Sequence, residues 1–189
     1  MVMPVHVYGM SVLRKVAREV PEDYENLDGL IADMFETMYA SEGVGLAAPQ
    51  VGKSLRLIVM DGSPMAENNP QEPELATFRK VLINPILLEE TGDSWTFEEG
   101  CLSLPNLREE VSRPEKVRLE YYNENWELVE EVYDGIRARI IQHEYDHLEG
   151  RLFVDRINPI RRKLLSARLH AISRGKADCE YKIVYKVIK

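Results

Sequence analysis

The stretch from Gln142 to Gly150, "QHEYDHLEG", places two histidines four residues apart with a glutamate beside the first. On a helix, His143 and His147 share a face one turn apart, where two imidazoles can bind one metal ion. A water held by that ion would lie within reach of Glu144, pairing a polarised nucleophile with a general base. The same residues also fit two core histidines beside an unrelated surface glutamate, so the pair alone leaves both readings open. Asp146 is either an acceptor for a histidine N–H or a surface residue.

A catalytic site with three protein ligands needs one more donor. Extended metalloprotease signatures put a third histidine six residues after the second, and here that position is Phe153. Glu149, Glu180 and His170 stand in no supporting motif. Cys101, in "EEGCLSLP", is the remaining candidate of suitable type, its alternative being a buried free cysteine. One thiolate and two imidazoles form an open set for Zn(II) or Fe(II), with water in the last position.

These residues need elements to hold them. Ile136, Ile140, His143 and His147 follow steps of three and four, which predicts a helix over Gly135–Leu148, capped by Asp134 and ended by Gly150. A second amphipathic helix is expected from Tyr24 to Ala40, with Leu27, Leu30, Ile31, Met34, Phe35 and Met38 on its buried side. "GVGLAAPQVG" at 43–52 interrupts regular structure and leads into the strand-like "LRLIVMD" at 55–61. Residues 62–79, rich in Pro, Asn and Glu, read as a surface loop or insertion without chemistry. Strand candidates follow at 80–90, 94–99, 116–123 and 126–133, mostly antiparallel, the last two joined by a hairpin turn at Glu124-Asn125. Asn158-Pro159 opens another helix ending near Gly175, and the alternation of Tyr181, Ile183, Tyr185 and Val187 predicts a final strand.

The 189 residues, 44% hydrophobic, suit one compact domain, 1–189. No run is apolar enough to cross a bilayer, and "MVMPVHVYGM" lacks the features of a secretory signal, so a cytoplasmic location is expected. Cys101 and Cys179 sit in no disulfide framework and read as free thiols or metal ligands. The net charge of −8 argues against a general nucleic-acid binder. Residues 156–189 nevertheless hold 10 basic and only 2 acidic residues, read first as a solvated helix face and strand edge rather than a partner-binding patch.

Three separate stretches agree on one family. "GVGLAAPQ" at 43–50, "EGCLS" at 99–103 and "HEYDH" at 143–147 resemble, in order, the signature motifs of the peptide deformylases, and "YGMSVLRKVAREV" and "INP" at 83–85 are similar to that family too. The resemblance runs from near the N-terminus to about Asp155. It implies an α+β fold, with small antiparallel β-sheets packed around a central helix carrying HExxH. It also implies one divalent metal per chain, Fe(II) first with Zn(II) or Ni(II) as alternatives, and hydrolysis of the formyl group from N-formylmethionyl nascent chains, releasing formate. Cys101, His143 and His147 would ligate the metal, and Glu144 would act as general base and then carry the proton to the leaving amine. Gln50 and the backbone N–H of Leu102 would stabilise the oxyanion, as formamide attack requires.

The resemblance further implies an extended peptide beside Gly43–Gly45 and Gly100, with the methionine side chain in an apolar pocket of Val44, Phe97, Ile136 and Ile140. Ordinary core packing is equally compatible with those four side chains. Arg139 would alter the pocket's rim, and Glu99 and Arg108 would be polar partners near the site. The 62–79 segment departs from compact members and bears on substrate access. The terminal strand-like stretch departs from members that end in a helix, which bears on ribosome docking through the basic C-terminal segment. Two other readings stand beside this one: a metallopeptidase, disfavoured by Cys101 and the missing extended signature, and a non-catalytic metal-stabilised binding protein, for which a fourth protein ligand would be expected.

Overall fold

The computed structural model describes residues 1–187. Its strands are β1 (Val5–His6), β2 (Gly45–Ala47), β3 (Leu57–Asp61), β4 (Arg79–Cys101), β5 (Leu104–Tyr122), β6 (Leu128–Asp134) and β7 (Ile183–Val184). Its α-helices are α1 (Leu27–Ala40), α2 (Ser63–Ala66), α3 (Gly135–Leu148), α4 (Pro159–Leu164) and α5 (Ser166–Ser173). Strands β2 to β6 form one antiparallel sheet in sequence order, while β1 and β7 pair in parallel. The mixed helix and antiparallel sheet agree with the expected class, although one five-stranded sheet stands where several small ones were expected.

The two strand candidates at 80–90 and 94–99 are one strand, β4, which pairs with β5 over most of its length. Register shifts between Ile83 and Ile86, Leu87 and Glu89, and Thr91 and Ser94 bend it rather than end it. Asn84, at φ 52°, absorbs the first of these irregularities, and its side-chain amide bonds both backbone groups of Val20. The expected β5–β6 hairpin is present, its turn held by Asn123, whose Oδ1 accepts from Asn125 N–H and Glu127 N–H.

α3 has the bounds that its periodicity predicts, yet it is buried well beyond one stripe. Ile136, Ile140 and Ile141 pack on Ile58, Leu82, Leu119 and Tyr121 of the sheet, each fully buried aliphatic side chain contributing about 1.5–3 kcal/mol. The helix also buries the polar side chains of Arg139, Glu144, Asp146 and His147, whose surroundings are described below. A second cluster joins α1 to β2 and β3, and a third packs α5 and the segment around Phe153 against Val7, Leu104 and Val111.

Three expectations need correction. Asp134 stands at the N-cap of α3 but makes no side-chain cap; it pairs with Arg137, and Glu72 Oε2 accepts the Ile136 N–H at 2.8 Å instead. The 62–79 segment is therefore no detached loop: it holds α2 and a 3-10 turn, buries Leu75 and Phe78, and caps the central helix. The helix from Asn158 kinks at buried Leu165 into α4 and α5, although Asn158 caps it as expected, accepting from Ile160 N–H at 2.8 Å.

The final strand is also shorter than its alternation predicts. β1 offers a ladder of only two residues, because Pro4 has no N–H and Tyr8 N–H turns away to Ser103 O. Tyr185 and Val187 consequently remain exposed, and Ile188 and Lys189 lie outside the described residues. No helix among the described residues is long and apolar enough to cross a membrane.

Candidate active site

Strand β4 delivers Cys101 to the N-terminal side of a two-residue turn, Leu102–Ser103, and α3 delivers His143, Glu144 and His147 beside it. The thiol and one ring nitrogen of each histidine lie within 4.8 Å of one another, with Cys101 Sγ 3.3 Å from His147 Nε2. His143 Nδ1–H donates to Glu99 Oε2 at 2.8 Å, which leaves the Nε2 lone pair of that ring for coordination. Burial holds His147 well below the ordinary histidine range, so it is neutral, the form that ligates. His143 is held well above that range: burial opposes the charge, but Cys101 and Glu99 favour a cation between them, so a metal at Nε2 would take the place of a proton there. This donor set, with thiol, two imidazoles and a carboxylate orienting one of them, fits a metal ion.

Glu144 is buried, and its Oε2 has no hydrogen-bond partner. Burial pushes its carboxyl up to about 7, despite the opposing pull of His143 and Arg113. Only glycine fits next to it at position 45, since a Cβ there would come within 2.5 Å of Glu144 Oε1. Gln50 is buried rather than a surface amide. Its Oε1 accepts from Ala47 N–H at 2.8 Å, so Nε2 points toward Ser103 Oγ at 3.3 Å and Cys101 Sγ at 3.6 Å.

These groups open into a cleft of about 710 Å³. Gly43, Val44, Gly45, Gln50, Phe97, Glu99, Gly100, Cys101, Leu102, Arg108, Ile136, Ile140, His143 and Glu144 all line it, so nearly every site residue expected from sequence converges there. His147 is not part of the cleft lining and is 1% exposed. Among the described residues β2 is an edge of the sheet that pairs with β3 alone; on its other side Ala47 N–H is taken by Gln50, and Gly45 lines the cleft where an extended chain could pair. Met65, from the segment expected to carry no chemistry, adds to the wall.

Several assignments change. Glu99 reaches the cleft wall, but both its oxygens are occupied: Oε1 accepts from Arg113 Nε at 2.6 Å and Arg139 Nη1 at 2.9 Å, Oε2 from Arg113 Nη2 at 2.9 Å and His143. Burial alone would raise its pKa, yet Arg113 and His143 hold it well below the carboxylate range. Its carboxylate, expected as a polar partner for substrate, is committed to Arg113, Arg139 and His143. Asp146 is neither a histidine acceptor nor a surface group: it is buried and accepts from Arg113 Nη1 at 2.7 Å and from Arg156 Nε at 2.6 Å. Arg139 is not at the rim but inside, bonding Trp95 O at 2.7 Å and Val111 O at 2.9 Å, with its guanidinium 4.6 Å from the Trp95 ring centre. Arg108 stands at the exposed edge, 3.8 Å from Glu98.

Sequence reasoning missed Arg113, Ser103 and Tyr181. The Glu99 role did have a signal, because Glu99 and Cys101 are two apart on a strand and face one way. Arg113 had none, being one arginine among many until folding buries it.

The chain matches the family described as polypeptide deformylase over residues 2–163. A peptide deformylase of Christiangramia forsetii is 46% identical over 187 residues, covering 97% of this chain and 95% of the relative. The crystal structure of a peptide deformylase from Legionella pneumophila superposes with a TM-score of 0.78 at 37% identity, covering 93% of this chain and 98% of that one. A Met-Ala-Ser-bound class I type b peptide deformylase from Acinetobacter baumannii gives 0.74 at 41% identity, covering 83% and 99%.

Proposed function

The chain belongs to the polypeptide deformylase family, and within that family's reaction, metal-dependent removal of the formyl group from N-formylmethionine, we propose that Cys101, His143 and His147 hold the metal and Glu144 moves the proton. The observation that carries this assignment is the convergence of three metal-ligating side chains beside a buried carboxylate with an unpartnered oxygen. When bound, the ion supplies Lewis acidity that polarises a carbonyl and lowers the pKa of water. Glu144 takes the proton of the attacking water and passes it to the leaving amine, a task suited to a carboxyl whose pKa lies near neutrality. Gln50 Nε2 and the Leu102 N–H donate to the formyl oxygen as charge develops on it. Glu99 keeps His143 in the ligating tautomer and Arg113 keeps Glu99 ionised.

Peptide substrate lies along the free edge of β2 at Gly43–Gly45 and beside Gly100, and the methionine side chain enters among Val44, Phe97, Ile136 and Ile140, with Arg108 at the mouth. Fe(II) is the proposed native ion, with Zn(II) and Ni(II) able to take the same sulfur and nitrogen donors. All 189 residues act as one catalytic unit in the cytoplasm, where N-formylmethionyl nascent chains are made. The basic C-terminal segment contacts the ribosome, and of its cations Lys163 on α4 is the one to neutralise: Arg161 is engaged by Glu109 at 2.8 Å, Arg162 by Asp155 at 3.0 Å and Arg156 by Asp146. Co-sedimentation with ribosomes unchanged by that neutralisation would remove the ribosome contact.

The test is formate release from formyl-Met-Ala-Ser by protein loaded anaerobically with Fe(II) or Ni(II). The parent turns over, and Glu144→Gln loses about 10²–10⁴-fold in kcat while retaining one metal per chain. Full activity in Glu144→Gln would refute the assigned role, and cleavage of the unformylated peptide would favour a peptidase.

A further inference from the structure

The turn that carries Leu102 is held at both of its carbonyls by residues distant in the chain. Tyr8 N–H donates to Ser103 O at 2.9 Å, and the Tyr181 hydroxyl donates to Leu102 O at 2.8 Å. The two anchors are themselves joined, because β7 follows Tyr181 and β1 precedes Tyr8: Val5 N–H donates to Lys182 O at 2.8 Å and Val7 N–H to Val184 O at 3.0 Å. Asn106 on β5 adds a side-chain bond to Asp178 O, so the segment before Tyr181 is tied to the strand that leaves the turn. Tyr181 is half-buried and lines the same cleft as Cys101 and Leu102, although the family match ends at residue 163.

We propose that Tyr181 is a positioning residue of the deformylation reaction, fixing through the Leu102 carbonyl the direction of the Leu102 N–H that meets the formyl oxygen. The inference rests on the reading of that N–H as an oxyanion donor. Peptide planes are rigid, so the only freedom left to a two-residue turn is rotation about its φ and ψ. Cys101 and Leu104 are paired at the base of the hairpin, which closes the turn from below. A bond to the Leu102 carbonyl fixes ψ of Leu102, and with the base closed the preceding peptide, bearing the N–H in question, cannot swing independently. Oxyanion stabilisation depends on such preorganisation, because a donor that must first reorient loses part of its worth when charge forms.

Tyr181→Phe removes the hydroxyl and keeps the ring. In nickel-loaded full-length protein acting on formyl-Met-Ala-Ser, kcat should fall about three- to tenfold, the worth of one neutral hydrogen bond, with KM little changed. Metal content should stay at one per chain. A kcat equal to the parent's, or a loss confined to KM or to the thermal midpoint, overturns the proposal and leaves the hydroxyl a structural tie only. A parent that releases no formate, or Glu144→Gln with parental kcat, would instead bring down the functional reading on which the proposal rests.

Discussion

The two sides of α3 handle buried charge in opposite ways. Behind the helix, every oxygen of Glu99 and Asp146 accepts from Arg113, Arg139, Arg156 or His143, and Arg113, 1% exposed, joins the two carboxylates. In front, Glu144 Oε2 and His147 Nδ1 are equally buried but have no partner. A carboxylate with both oxygens engaged is held in place, and its charge stays constant through the reaction. An unsaturated carboxylate is costly to the fold yet free to accept and return a proton. The protein thus leaves one carboxylate oxygen open at the point of chemistry and engages both oxygens of the two carboxylates that stand behind it.

The sharpest way to break this contrast is to unpair the rear network. Arg113→Ala strands two buried carboxylates and should cost about 3–5 kcal/mol, read as a lowered urea midpoint. A loss under about 1 kcal/mol would mean that water reaches these groups and that the network is not sealed. Glu99→Gln keeps the shape but weakens the hold on His143, so metal affinity should fall about 10–100-fold in chelator competition. Unchanged affinity would show that the His143 ring is set by packing, for instance against Phe153, 6.1 Å away between centroids.

Smaller effects test the elements that carry the two sides. Glu72→Ala removes the cap of α3 and should destabilise by about 1 kcal/mol, without altering KM if the 62–79 segment serves only the helix. A raised KM would instead tie that segment to the cleft through Met65. The smallest effect lies far from the site, at Glu131. Burial raises its pKa, but hydrogen bonds from Tyr121 and Tyr133 and the charge of Lys80 outweigh this and hold it below the usual 4.5. A carboxyl with a lowered folded-state pKa stabilises above its unfolded value, and that contribution is lost as pH falls through the folded one. The stability gap between parent and Glu131→Gln should therefore be full at neutral pH and close as the solution is acidified below about 4.5. A gap that stays constant in acid would assign the difference to packing.

The histidine pair with Glu144 and the bounds of α3 were legible in the residues, because they rest on short spacing or local periodicity: histidines four apart, steps of three and four along the helix, a glycine just past its end; Cys101 and Gln50 were placed beside them by the resemblance of their motifs. The motifs also carried the apolar lining of the cleft. What stayed hidden shares one property, a partner far away in the chain. Glu72 caps Ile136 64 residues on, and Tyr181 reaches back 79 residues to Leu102. Nothing in the neighbourhood of Asp134 says that its capping role will be taken by a glutamate from another segment, and nothing near Arg113 says that it will be sealed between two acids. Local sequence determined which atoms can bind a metal and move a proton, since those capacities belong to side chains and their spacing. Only the tertiary structure decided which charges are paired and which are left open, since pairing depends on the burial and distance that folding creates.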